Sequence, residues 1–156
     1  MNTASVHAFA SRPRKGERNM KIEEKDGEFP APDMELTHIL VVSDLERSRD
    51  WYRDVLGAEL YREYGGSSAV FRFGAAWLLI VTGGGPTEDK PGVSFETPDP
   101  SSVSHSITIR VQDCRSAYET LSERGAEFLT PPYDWGQEIR CFFRDPDGHL
   151  FEISEA

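Results

Sequence analysis

The sequence predicts an α+β fold: two tandem βαβββ modules whose mixed sheets curl around a shared cup. Three observations carry that expectation. The chain repeats itself, with "SDLERSRDWYRDVLGAEL" at 43–60 matched by "QDCRSAYETLSERGAEF" at 112–128. Asp44 aligns with Asp113 and, after one gap, Gly57 with Gly125, which is the signature of a duplicated unit. Each copy follows a β-rich run, "THILVV" or "SITIRV", and each is followed by further runs of strand length.

The elements follow in order. Ser43 and Glu46 have the spacing of a capping box, and Asp113 is a good N-cap. Leu45, Ser48, Trp51 or Tyr52, and Val55 or Leu56 recur at helical spacing. Gly57 and Gly125 stand where a helix needs a left-handed stop. "SSAVFRF" and "AWLLIV" read as strands joined by the turn "FGAA", with Trp77 taken as core. In the second copy "EFLT", "EIRCFF" and "HLFEIS" read as strands, the last entered through the turn "DPDG".

The modules are expected over 35–82 and 103–155, within a domain spanning 34–156. The Gly- and Pro-rich stretch 83–102 joins them. Residues 1–33 carry six basic and six acidic side chains, so the net charge of −10 falls on the rest of the chain. That segment is expected to be a disordered extension, or a stretch read from an upstream start codon with Met20 or Met34 as the true start.

Composition narrows the function classes. No basic block exists outside the N-terminal segment, so nucleic acid is not an expected partner. No apolar run has the length of a membrane helix. Cys114 and Cys141 are far apart in sequence and form no C-x-x-C pair, which fits reduced thiols in the cytoplasm. "GGGP" at 83–86 leads into no helix and fails as a phosphate loop.

With the repeat between them, "VVSDLERSRDWYRDVLGAEL" and "FFRDPDGHLFEI" resemble the vicinal oxygen chelate superfamily. That group includes glyoxalases, epimerases, extradiol dioxygenases, fosfomycin-resistance transferases and bleomycin-resistance proteins. The resemblance covers 35–155 and is specific for fold more than for reaction. It implies a homodimer, a small-molecule substrate, and one divalent metal in the cup. The ligands implied are His38, His105 and Glu152, a set suited to Fe, Mn, Co, Ni or Zn. The fourth ligand position falls near Leu79, which has no donor. Because that position also holds the carboxylate that can act as base, the catalytic group stays unassigned.

Counting leaves two alternatives open. The superfamily's ligand stands seven residues before the helix-starting Asp, but His38 is six before Asp44 and His105 eight before Asp113. Strict counting puts Thr37 and Ser106 in those slots, and one residue of slip reverses the face of a strand. Either a β-bulge returns the histidines to the cup, or they pack elsewhere and the cup is metal-free, as in bleomycin-resistance proteins.

Other cup residues follow from alternation. Arg140 and Phe142 share a face of the strand before Glu152, and Arg110 shares one with Ser106 and Thr108. Arg110 and Arg140 are candidates for binding an anionic group. Tyr133 and Trp135 stand on a loop positioned to touch a ligand. Phe142 lies ten residues before Glu152, where extradiol and fosfomycin relatives often carry Tyr, and Phe has no proton to donate. The leading expectation is a glyoxalase-like metal-dependent lyase or isomerase working through a metal-stabilised enediolate. The alternatives are a metal-free binding or resistance protein and, third, an extradiol-type dioxygenase.

Overall fold

The computed structural model describes residues 29–30 and 33–156. The expectations for the N-terminal segment therefore lie almost wholly outside the described residues. The chain divides into Met1–Met34 and Glu35–Ala156, and the fold lies in the second unit.

The first module contains β1 (Thr37–Val42), α1 (Leu45–Asp54), β2 (Glu59–Tyr64), β3 (Ser68–Phe73) and β4 (Ala76–Thr82). The second contains β5 (Ser106–Arg110), α2 (Cys114–Glu123), β6 (Glu127–Phe128), β7 (Tyr133–Asp134), β8 (Ile139–Arg144) and β9 (Leu150–Glu155). Sheet 1 has the order β1-β4-β3-β2; sheet 2 has β5-β9-β8-β6, with β7 also on β8. In each sheet the first and last strands of the module pair parallel and the others antiparallel. This is the α+β architecture of tandem modules that the repeat predicts, with two mixed sheets and two helices.

Local chemistry explains the boundaries. Asp44, not Ser43, caps α1, its carboxylate accepting the Arg47 N–H at 3.0 Å. Asp113 does the same for α2 through Ser116, at 2.9 Å. Gly57 and Gly125 follow the helices at φ +78° and +97°, a region that penalises any Cβ. The strand expected at "EFLT" is shortened to β6, and the two-residue β7 forms within the stretch expected as a loop. Pro131 and Pro132 stand between the two and have no N–H to give a ladder.

The two modules share one hydrophobic core, and α1 joins them. Tyr52 is fully buried, its ring 5.7 Å from Phe71 of sheet 1 and 6.2 Å from Phe151 of sheet 2. Trp51 lies 6.2 Å from both Phe143 and Phe151. Burying each such ring contributes roughly 1.5–3 kcal/mol. The faces carrying Leu40, Phe71 and Ile80 in sheet 1, and Cys141, Phe143, Phe151 and Ile153 in sheet 2, all enter this cluster. The opposite face of each sheet stays open.

The "DPDG" turn fastens the second module to the first. The Tyr52 hydroxyl donates to Asp145 Oδ2 at 2.9 Å. Asp145 Oδ1 accepts the backbone N–H groups of Asp147 and His149 at 3.0 and 2.8 Å. Asp147 Oδ1 accepts the Ser43 N–H at 3.1 Å, and His149 Nε2 donates to the Val41 carbonyl at 2.8 Å. His149 is thereby a tie between the modules.

Candidate functional site

Period-two alternation sets what each open face carries. On sheet 1, Thr37 pairs with Trp77 and Ile39 with Leu79 across β1 and β4, and paired residues share a face. Together with Val70, Tyr61 and Tyr64 they line a cavity of about 550 Å³, within the range of small-molecule sites. Trp77 is therefore not core, as the sequence suggested. Its Nε1 donates to Glu35 at 2.7 Å, and its ring meets Tyr61 edge-on at 5.2 Å. Tyr61 arrives there because the β2–β3 register shifts between Leu60 and Arg62, a bulge that redirects a side chain. The Arg72 and Arg62 guanidinium groups lie 5.6 Å from the Trp77 ring and 5.7 Å from the Tyr64 ring.

On sheet 2 the open face is polar. Three neighbouring strands give rows across it: Thr108, Glu152 and Phe142 in one, and Arg110, Ser154 and Arg140 in the next. Tyr133 of β7 extends the second row opposite Arg140. Glu152 Oε2 accepts the Thr108 hydroxyl at 2.7 Å, and Glu152 Oε1 lies 3.9 Å from Arg140. Arg140 also pairs with Glu138 at 3.4 Å, and Ser154 donates to Glu138 at 2.7 Å. The Trp135 ring stands 5.5 Å from the Arg140 guanidinium and 4.7 Å from Tyr133.

The sequence-predicted residues fall into two groups. Arg140, Phe142, Tyr133, Trp135 and Glu152 come together on one face of sheet 2. Arg110 shares that face and makes no ion pair with a described residue. His38 and His105 do not join them. The β1–β4 and β5–β9 ladders run without a register shift, so no bulge turns either histidine inward. His38 points with Leu40 and Val42 toward the core side. His105, one residue before β5, stacks on it with ring centroids 5.5 Å apart.

The donor set consequently does not fit the divalent metal that the resemblance implies. The cup-side slots hold the Thr37 and Ser106 hydroxyls and the Leu79 side chain. Among the described residues, no group of three or more His, Cys, Asp or Glu is placed to hold a metal ion. Strand parity separates the three residues that the resemblance assigns to the metal: His38 and His105 lie on the core-side faces and Glu152 on an open one.

Two buried pairs escaped the sequence reading. Burial raises the Asp145 carboxyl and pushes the Tyr52 phenol well above its ordinary range. These partners lie 93 residues apart, so no local pattern signals them. The thiols of Cys114 and Cys141 lie 3.8 Å apart in the core. Burial raises both, Cys141 to about 12, the opposite of an activated cysteine.

Comparison with known proteins places the chain. A 132-residue stretch is 27% identical to lactoylglutathione lyase of Salmonella typhimurium, covering 79% of this chain and 93% of that protein. A 114-residue stretch is 32% identical to metallothiol transferase FosB of Staphylococcus epidermidis, covering 72% and 76%. A glyoxalase/bleomycin resistance protein/dioxygenase structure from Nocardioides superposes with a TM-score of 0.60 at 26% identity, covering 78% and 82%. Residues 35–153 match the family model described as Glyoxalase/Bleomycin resistance protein/Dioxygenase superfamily, and the chain belongs to that superfamily.

Proposed function

We propose that this protein binds a small flat molecule without a metal, in the manner of the bleomycin-resistance branch. The observation that carries this reading is the parity of β1 and β5. It leaves Thr37 and Ser106 in the ligand slots and turns both histidines away from Glu152. The lyase or isomerase chemistry expected from the sequence has no metal-ligand set among the described residues, and no step is derived through a metal.

The two open faces have complementary character. Sheet 1 offers an apolar, aromatic wall and sheet 2 a polar one. Within one chain the modules are joined through α1 and their opposite faces. A closed cup therefore forms when sheet 1 of one protomer meets sheet 2 of a second copy, which makes a homodimer the binding unit.

The test is calorimetric titration of metal-stripped protein with 2-naphthamide, a neutral two-ring probe. Saturable binding is expected without added metal. Trp77→Ala should weaken it by about tenfold, the contribution of one well-placed aromatic contact. Binding that appears only after a divalent metal is added would sink the proposal.

A further inference from the structure

One cation already sits in the polar wall. The Arg140 guanidinium lies 5.5 Å from the Trp135 ring centroid and 5.8 Å from that of Phe142. Glu138 and Glu152 close the same space at 3.4 and 3.9 Å. Both carboxylates are held from behind, by the hydroxyls of Ser154 and Thr108, each at 2.7 Å. Tyr133 braces Trp135 at 4.7 Å. Aromatic faces backed by carboxylates are the chemistry that recognises a flat delocalised cation.

Charge decides what this cluster accepts. With Arg140 in place it holds one positive and two negative groups; with Arg140 withdrawn it holds two negative groups. An anion is poorly served in either state. Arg140 is also loosely held. Its two ion pairs are long, and its side chain is 38% exposed, so moving it into solvent costs little.

We propose that Trp135, Phe142, Glu138 and Glu152 form a cage for a planar cation, an amidinium or a protonated aminoheterocycle, which Arg140 fills until such a ligand displaces it. The inference rests on the metal-free cup and assigns a charge to its ligand. Arg140 thereby becomes a resident competitor instead of the anion anchor that its position in sequence suggested. Arg110, one strand away from Ser154, is the remaining group able to attract an anion, so the test includes one.

The experiment compares three probes of one skeleton on the full chain: 2-naphthamidine (cation), 2-naphthamide (neutral) and 2-naphthoate (anion), each by calorimetry. The cation should bind about tenfold tighter than the amide, the scale of a desolvated cation–π contact, and the anion weakest. Arg140→Ala should tighten the cation by about tenfold, with Arg140→Lys between it and the parent. Glu152→Gln should erase the cation's advantage over the amide. Circular dichroism checks that each variant folds. A preference for 2-naphthoate that is lost in Arg140→Ala overturns the inference, as does equal binding of all three. Either result leaves the metal-free cup standing, whereas failure of 2-naphthamide itself to bind overturns both.

Discussion

Tyr52 and Asp145 concentrate the cost of joining the modules in one hydrogen bond of 2.9 Å. Both are buried, so Tyr52→Phe leaves Asp145 Oδ2 without its partner. A loss of about 1–3 kcal/mol is expected, the usual penalty for a stranded buried acceptor, readable as a lower denaturation midpoint. Asp145→Asn tests the charge instead. Asp145 is raised above its ordinary value of 3.8 by burial, so the folded state holds its proton longer than the unfolded chain. That stabilisation is complete below 3.8 and is lost as pH rises through the raised folded value. Asn has no proton to lose, and the Tyr52 hydroxyl can turn to accept from it. The variant should therefore lack this descending component in a plot of Tm against pH, while the parent keeps it. At this scale Glu152 was legible, because "DPDGHLFEI" fixes both its strand and its face. Asp145 read only as a turn residue, because its partner arrives from another module.

At the level of elements, alternation explains both the success and the failure of the sequence reading. Counting back from Asp44 and Asp113 already put Thr37 and Ser106 on the cup side. The unshifted β1–β4 and β5–β9 ladders keep them there. What counting could not exclude was a bulge in β1 or β5. The bulge that does occur lies in β2 and delivers Tyr61 instead. Trp77 was misread because "AWLLIV" is apolar on both faces, so its pattern does not distinguish core from cup. The end of β6 was written in Pro131 and Pro132, whereas the two-residue β7 beyond them read as a loop. The register argument makes a constructive prediction. In the double variant Thr37→His and Ser106→His, one imidazole stands on the open face of sheet 1 and the other beside Glu152 on the open face of sheet 2. That variant should acquire about one divalent metal per chain once the cup is closed, two His and a carboxylate being a sufficient set. Atomic emission on the untagged double variant checks it, and an unchanged metal content would mean the register argument is wrong.

For the whole molecule, the repeat revealed the architecture, while the packing of one module on the other came from residues no repeat identifies. Trp51 and Tyr52 have Thr120 and Leu121 at the matching positions of the second copy. So α1 alone carries the aromatic pair that reaches into sheet 2. Packing through the core-side faces leaves both cup walls open, and the proposed binding unit is accordingly two chains. Light scattering coupled to size exclusion should return twice the mass of one chain; a monomer that still binds 2-naphthamide saturably would contradict the two-chain cup. No helix among the described residues is long and apolar enough to cross a membrane.

Metal content tests the central claim most directly. The untagged protein is stripped, offered Fe(II), Mn(II), Co(II), Ni(II) and Zn(II) in turn, passed through a desalting column, and analysed by mass spectrometry beside Glu152→Ala. With His38 and His105 behind the sheets, the parent should retain no more metal than the variant. About one metal per chain in the parent, lost in Glu152→Ala, would contradict the account.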